Sequence, residues 1–287
     1  MAPVRLGQHF LRDDRVLRDV VAAARLAPGQ RVLEVGPGPG NLTALLASGV
    51  GPSGNVTAIE ADRALARALE GRWPNVQALH ADAVKTDLAA LGRPFRPSQA
   101  GASASLRPEV EASGRFDRIV ANLPYQISGP ITIAFLALLR PPATRWNRAV
   151  LMYQKEFAER LLSGVGDDGY GRLSVQAARW VRVERVRDVA PGAFDPPPKV
   201  ESTVLALEPH AKPPFAVESE KLWEAVLATF EHRRKKLSNT LPAAVAGLGI
   251  SEGQADAALE TLGAAGKRPE ELAPAEFGRL TTLLGSA

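Results

Sequence analysis

Residues 31–46 constrain the fold of this chain more tightly than any other stretch. They read Arg31-Val32-Leu33-Glu34-Val35, then Gly36-Pro37-Gly38-Pro39-Gly40, then Asn41-Leu42-Thr43-Ala44-Leu45-Leu46. A short run of strand composition enters a glycine turn and leaves as a helix, the unit from which parallel α/β sheets are built. Glycine lets the backbone approach a ligand closely, but Pro37 and Pro39 remove two of the N–H groups a phosphate-cradling loop would use. A ligand without phosphate therefore fits better than a dinucleotide, and S-adenosylmethionine is the leading candidate. A second strand, Asn55-Val56-Thr57-Ala58-Ile59, ends in Glu60, where a carboxylate can accept both ribose hydroxyls. A third strand-like stretch ends in His80-Ala81-Asp82, with Asp82 suited to accept a hydrogen bond from the adenine amino group of the cofactor.

The second informative run is Asn122-Leu123-Pro124-Tyr125, which follows the apolar Ile119-Val120-Ala121. An exocyclic amino nitrogen shares its lone pair with the base ring, so it must be pushed toward tetrahedral geometry before it can attack an electrophilic methyl. The Asn122 side-chain oxygen and a backbone carbonyl, that of Leu123, would accept its two N–H groups and stabilise the charge developing on nitrogen. Pro124 fixes its own φ and biases Leu123 toward an extended shape, holding that carbonyl in one direction. Tyr125 offers a surface on which a flipped-out base can stack. Taken alone, the four residues also read as a loop after a strand, with proline as punctuation and tyrosine as an anchor. With Glu60, Asp82 and Asn122 each at a successive strand end, all on one edge of one sheet, the pattern points to methylation of a base amino group.

The chain resembles the KsgA family of ribosomal RNA small-subunit adenine dimethyltransferases, over nearly its whole length. The resemblance rests on Leu6 to Leu11, Glu34 to Gly40, Asn122 to Tyr125, Gln154-Lys155-Glu156, Tyr170 to Val175, Phe194 to Val200 and His232 to Lys236, in family order. It implies a Rossmann-like class I S-adenosylmethionine-dependent methyltransferase sheet of seven strands with a small C-terminal helical domain. It also implies dimethylation of two adjacent adenines in the 3′-terminal hairpin of small-subunit rRNA, with a part in ribosome biogenesis. Carried over residue by residue, it makes His9 and Leu11 contacts of a segment that closes over the cofactor. Histidine at position 9 is more like the archaeal and eukaryotic relatives, since bacterial members usually carry asparagine there. Gly36 would touch the methionine portion, with Gly38 beside it, and Glu60 would touch the ribose and Asp82 the adenine. Phe194 matches an aromatic residue that packs on the target base opposite the tyrosine; its alternative is a hydrophobic plug before a proline-rich turn. Two competing functions share features with this reading: a large-subunit rRNA adenine methyltransferase of the antibiotic-resistance type, and a non-catalytic rRNA-binding assembly factor. A dehydrogenase is more distant.

Charge agrees with an RNA substrate: the net charge is +4, and the sequence pI of about 9.6 points to an anionic partner. The excess of basic residues lies between Arg140 and Arg187, and a second cluster, Arg233-Arg234-Lys235-Lys236, is expected to contact RNA phosphates. On a helix these four could not share one face, so part of the cluster would simply be solvated. The absence of cysteine rules out disulfides and thiolate metal sites, and the four histidines show no paired ligand spacing, so no metal is expected. No Gly-x-Ser-x-Gly elbow is present, which argues against hydrolase chemistry. The first residues lack an apolar signal core and no run approaches the ~20 residues needed to span a bilayer. A cytoplasmic monomer is the expectation.

Two domains are expected. Residues 1–208 read as the α/β domain, with strands near 31–35, 56–60, 76–80, 117–121 and 148–153. Val181 to Val186 and Ser202 to Leu207 read as two later strands, the first of which could instead extend a helix. Residues 215–287 read as a helical RNA-binding domain, since Leu222, Val226, Phe230, Leu237 and Leu241 recur at helical spacing. Residues 94–114, rich in Ala, Ser, Pro and Gly, read as a flexible surface insertion.

Overall fold

A computed structural model of the protein describes residues 8–91, 115–140 and 146–286. The insertion expected at 94–114 lies outside them. Nine strands are present among the described residues: β1 (Phe10–Leu11), β2 (Arg31–Val35), β3 (Asn55–Glu60), β4 (Val76–His80), β5 (Arg118–Asn122), β6 (Arg148–Gln154), β7 (Val181–Val189), β8 (Phe194–Asp195) and β9 (Ser202–Pro209). The helices are α1 (Asp14–Ala24), α2 (Asn41–Val50), α3 (Arg63–Leu69), α4 (Leu88–Leu91), α5 (Ser128–Ala137), α6 (Lys155–Leu162), α7 (Arg172–Trp180), α8 (Glu220–Ala228), α9 (Leu241–Val245), α10 (Glu252–Leu262) and α11 (Pro274–Gly285).

Seven strands form one sheet in the order β4-β3-β2-β5-β6-β9-β7. The pairs β2–β3, β3–β4, β2–β5 and β5–β6 are parallel, and β9 runs antiparallel to β6. The central strands are covered on both faces, which explains their nearly unbroken apolar sequences: Ile119-Val120-Ala121, Ala149 to Tyr153 and Val204 to Leu207 are all buried. The chain moves outward from β2 through β3 to β4, then starts again at β5 on the other side of β2. That reversal makes a switch point at the carboxyl ends of β2 and β5, where open α/β sheets bind ligands. Every strand expected in the sheet is there. The 181–186 run is a strand because α7 stops at Trp180, and Val181 and Val183 then alternate with exposed Arg182 and Glu184.

Helix α1 buries Val16, Leu17, Val20 and Ala24 and is capped by Asp13, whose carboxylate accepts from Arg15 N and Val16 N. Its last carbonyls are received by two arginines that stand opposite each other at the start of β5 and β6. Arg118 Nε donates to Ala24 O at 2.7 Å and Arg148 Nε to Ala23 O at 2.6 Å. Arg148 is nearly buried and its charge is met by Glu208. The chain entering the cleft edge therefore starts from a helix fixed to the sheet.

The chain divides into two compact units, one of residues Met1–Ala158 with Glu184–Pro209 and the other of Glu159–Val183 with His210–Ala287. The single boundary expected near residue 208 thus needs correction. The segment Glu159–Val183 belongs with the helices because Tyr170 and Val175 are buried in a core with Trp223, Leu227, Leu259 and Phe277. The Tyr170 hydroxyl also donates to Leu272 O at 2.7 Å. In this unit Leu222 and Val226 lie on α8 as expected, whereas Phe230 and Leu237 fall in short 3-10 segments and Leu241 opens α9. The basic run does not lie on a helix: Arg233 and Arg234 are in a turn, followed by Lys235 and Lys236, between two short 3-10 segments.

Candidate active site

Four strand ends open on one edge of the sheet. The glycine loop follows β2, Glu60 is the last residue of β3, Asp82 lies two residues beyond β4, and Asn122 is the last residue of β5. Gly36, Gly38 and Gly40 adopt φ of 69°, 56° and 92°, a left-handed region open to glycine at little cost. At Gly38 the reason is also one of space, since a Cβ there would stand 2.8 Å from the Phe10 ring.

The loop is built around Glu60. One carboxylate oxygen accepts from Gly38 N at 3.0 Å and the other from Asp62 N at 2.9 Å. The Gly38 N–H is thereby used inside the protein, which leaves the loop a poor cradle for phosphate. The adjoining cleft, of about 270 Å³, is lined by Glu60, Asp82, Val35, Ile59, Ala83, Gln126 and Ile127 among others. Its walls are largely apolar, it carries three carboxylates, Glu60, Asp62 and Asp82, and no Lys or Arg lines it among the described residues. Such a surface suits a flat, hydroxyl-bearing ligand with positive charge and opposes a pyrophosphate. Asp82 sits at the rim, where Oδ1 accepts from Val84 N at 3.0 Å and Oδ2 lies 3.5 Å from Lys85 Nζ.

A second, smaller cavity of about 60 Å³ joins it and is lined by His9, Gly38, Glu60, Asn122, Pro124 and Tyr125 among others. Asn122 Nδ2 donates to the His9 carbonyl at 3.2 Å. Because a carbonyl only accepts, this bond fixes which way the amide faces. Oδ1 is left as the acceptor, with no partner among the described residues. Leu123 N donates to Met152 O at 3.3 Å, which ties the next peptide to the end of β6. Tyr125 is half-buried; burial pushes its phenol above its ordinary range, and a hydrogen bond with Ser202 pulls partly the other way.

The residues around His9 form a strap. β1 pairs antiparallel with β8, Phe10 opposite Asp195 and Leu11 opposite Phe194. His9 Nδ1 donates to Pro196 O at 2.8 Å, and Asn41 Nδ2, at the start of α2, donates to Leu11 O at 2.9 Å. His9 therefore lines the smaller cavity, while Leu11 is buried. Of the two readings of Phe194, the structure agrees with the hydrophobic plug. It is buried in the core of the first unit and lines neither cavity, because pairing with Leu11 turns it inward.

Of the RNA-binding candidates, Arg233 is engaged within the protein: Nε donates to Glu270 at 2.6 Å and the guanidinium also reaches Asp168 O. Arg234, Lys235 and Lys236 are exposed. Several site-forming residues escaped the sequence reading. Gln126 and Ile127 follow directly on Tyr125, so proximity could have flagged them. Glu34 is nearly fully buried in β2, and its carboxyl is pushed up to about 8 by burial, opposed by the Thr43 hydroxyl and reinforced by the charge of Glu60. Its presence inside a strand was visible; its protonation depends on packing that no sequence displays.

A mainly parallel sheet with a switch-point cleft, a phosphate-averse glycine loop and an oriented asparagine at the end of β5 defines a Rossmann-like methyltransferase fold. The chain belongs to the ribosomal RNA adenine dimethylase family, whose model matches residues 2–259. It is 38% identical over 285 residues to "Ribosomal RNA small subunit methyltransferase A" of Syntrophotalea carbinolica, covering 98% of this chain and 96% of that protein. A "Probable ribosomal RNA small subunit methyltransferase A" of Thermococcus onnurineus is 36% identical, covering 97% and 91%. Among solved structures, a dimethyladenosine transferase from Plasmodium falciparum superposes with a TM-score of 0.70 at 28% identity, covering 95% of this chain and 96% of that one. The 23S rRNA methyltransferase ErmE superposes with a TM-score of 0.60 at 27% identity, covering 96% and 99%.

Proposed function

We propose that this protein moves methyl groups from S-adenosylmethionine to the exocyclic amino groups of adenines in small-subunit ribosomal RNA. The targets are two adjacent adenines in the 3′-terminal hairpin, each dimethylated during small-subunit biogenesis, by a monomer acting in the cytoplasm. The observation that carries this reading is the Asn122 amide, which lines the cavity beside the cleft and gives its Nδ2 to the His9 carbonyl, so that Oδ1 is left as an acceptor. S-adenosylmethionine supplies an electrophilic methyl on a positively charged sulfur. Glu60 would accept from the ribose hydroxyls with the lone pairs its two N–H donors leave open, and Asp82 from the cofactor's adenine amino group. Gly36, Gly38 and His9 would enclose the methionine portion, with Leu11 supporting them from below.

On the target base, Asn122 Oδ1 and the Leu123 carbonyl would accept the amino N–H groups and draw the nitrogen toward tetrahedral geometry, while Tyr125 stacks on the ring. The nitrogen sheds its proton after the methyl has been transferred, so no general base is needed beforehand. In this scheme Phe194 serves the site through Leu11 and the strap, without touching the base. Arg234, Lys235 and Lys236 would meet RNA phosphates. The small-subunit assignment is favoured by the names of the most similar curated relatives; ErmE marks the large-subunit alternative.

Asn122→Ala tests the chemistry. It is expected to lower methyl transfer by at least about 100-fold, the loss typical of removing one transition-state hydrogen-bond partner, with the cofactor dissociation constant little changed. Near-normal turnover would remove Asn122 from its role.

A further inference from the structure

Tyr125 forms part of the cavity wall, yet a tyrosine on a loop edge holds one plane only if both ends of its ring are fixed. One end is fixed by the backbone, which runs from Pro124 into a 3-10 turn, Tyr125–Ile127. At the other end the phenol oxygen lies 2.8 Å from Ser202 Oγ. Ser202 is fully buried and opens β9, paired in register with Gln154 at the end of β6. The preceding residue is held too: Lys155 N donates to Glu201 O at 3.0 Å, and Lys155 Nζ to the Glu201 carboxylate at 2.6 Å. The serine hydroxyl is thus mounted on a rigid part of the sheet, and its one hydrogen-bond partner among the described residues is Tyr125. The His9 ring lies 5.8 Å from the Tyr125 ring at an interplanar angle of 31° and limits rotation from the strap side.

We propose that Ser202 is a positioning residue of the methyl-transfer site, fixing the plane of the Tyr125 ring against which the target base stacks. The role rests on the function proposed above, and Ser202 exerts it only through Tyr125, since it lines neither cavity. Freed of this bond, the ring would sample other tilts about its side-chain torsions, and the amino nitrogen would be presented to Asn122 in a fraction of them.

The test is a double-mutant cycle on the full-length protein, comparing the wild type with Ser202→Ala, Tyr125→Phe and the double variant. Methyl transfer from S-adenosylmethionine to unmethylated small subunits gives kcat/KM, and titration with S-adenosylmethionine gives its dissociation constant. Each single variant is expected to lose about 3- to 10-fold in kcat/KM, the usual weight of one hydrogen bond. The double variant should lose no more than either single, and cofactor affinity should stay within about twofold throughout. Tyr125→Phe removes the same bond from the cavity side while leaving β9 intact, so a folding defect in Ser202→Ala would not blur the outcome. Wild-type kcat/KM in Tyr125→Phe, or losses that multiply in the double variant, would overturn the positioning role and leave the proposed function standing. A wild-type protein that methylates no adenine would overturn the proposed function, and the role of Ser202 with it.

Discussion

At the scale of single residues the site is a set of carboxylates and amides whose options are narrowed by backbone partners. Glu60 illustrates this. Its two oxygens hold Gly38 N and Asp62 N, so it organises the loop before any ligand arrives. Glu60→Ala should therefore weaken cofactor binding and also leave two N–H groups without their acceptor, at about 1–3 kcal/mol for each that stays buried. Calorimetry and thermal melting together check this; an unchanged cofactor dissociation constant would contradict the ribose contact. Glu34 makes a prediction with a definite sign. Its carboxyl sits at about 8 in the folded chain against an ordinary 4.5, chiefly through burial. The folded state therefore keeps a proton that the unfolded chain releases, and stability falls as pH rises from about 4.5 toward 8. Glu34→Gln should flatten that decline, its Tm gaining on the wild type between pH 6 and pH 9 by roughly 2–4 °C per kcal/mol of relieved penalty. Parallel Tm curves for the two proteins would contradict it.

At the scale of elements, the glycine loop and the N-terminal strap work as one piece, because Phe10 fills the space that the absent Gly38 side chain leaves. Gly38→Ala would strain a residue at φ 56° and push Phe10 aside, displacing His9 and with it the carbonyl that orients Asn122. Activity should fall further than cofactor affinity does, which parallel titration and turnover measurements would reveal; equal losses would show the strap and the asparagine to be uncoupled. The strand, loop and helix around Gly36 to Gly40 were legible because each carries its own local signal: an apolar run, left-handed glycines, helical spacing. The placing of Glu60, Asp82 and Asn122 on one sheet edge followed from strand ends alone. The β1–β8 ladder was not legible. Two-residue strands have no periodicity, and their partners are far apart in the chain, so pairing depends on a fold already formed. The inward turn of Phe194 has the same origin: its aromatic character was visible, but its side of the strand was not.

At the scale of the whole molecule, the chain builds two units, and the second borrows residues Glu159–Val183 from the middle of the sequence. That exchange was hidden from a linear reading because Tyr170 and Val175 look like ordinary members of the first domain until Trp223 and Phe277 are beside them. The basic run also splits. Arg233 is paired with Glu270, whereas Arg234, Lys235 and Lys236 are exposed. Replacing those three with alanine should weaken rRNA binding and reduce the slope of log K against log salt by about 2–3, with cofactor affinity unchanged. An unchanged salt slope would mean that these side chains are merely solvated. The function as a whole is tested most directly by supplying the purified protein with methyl-labelled S-adenosylmethionine and, in separate reactions, unmethylated small subunits and unmethylated large-subunit RNA, then digesting the RNA and identifying the labelled nucleoside. The account predicts dimethyladenosine from the small subunit alone. Label confined to large-subunit RNA, or no label in either, would contradict it.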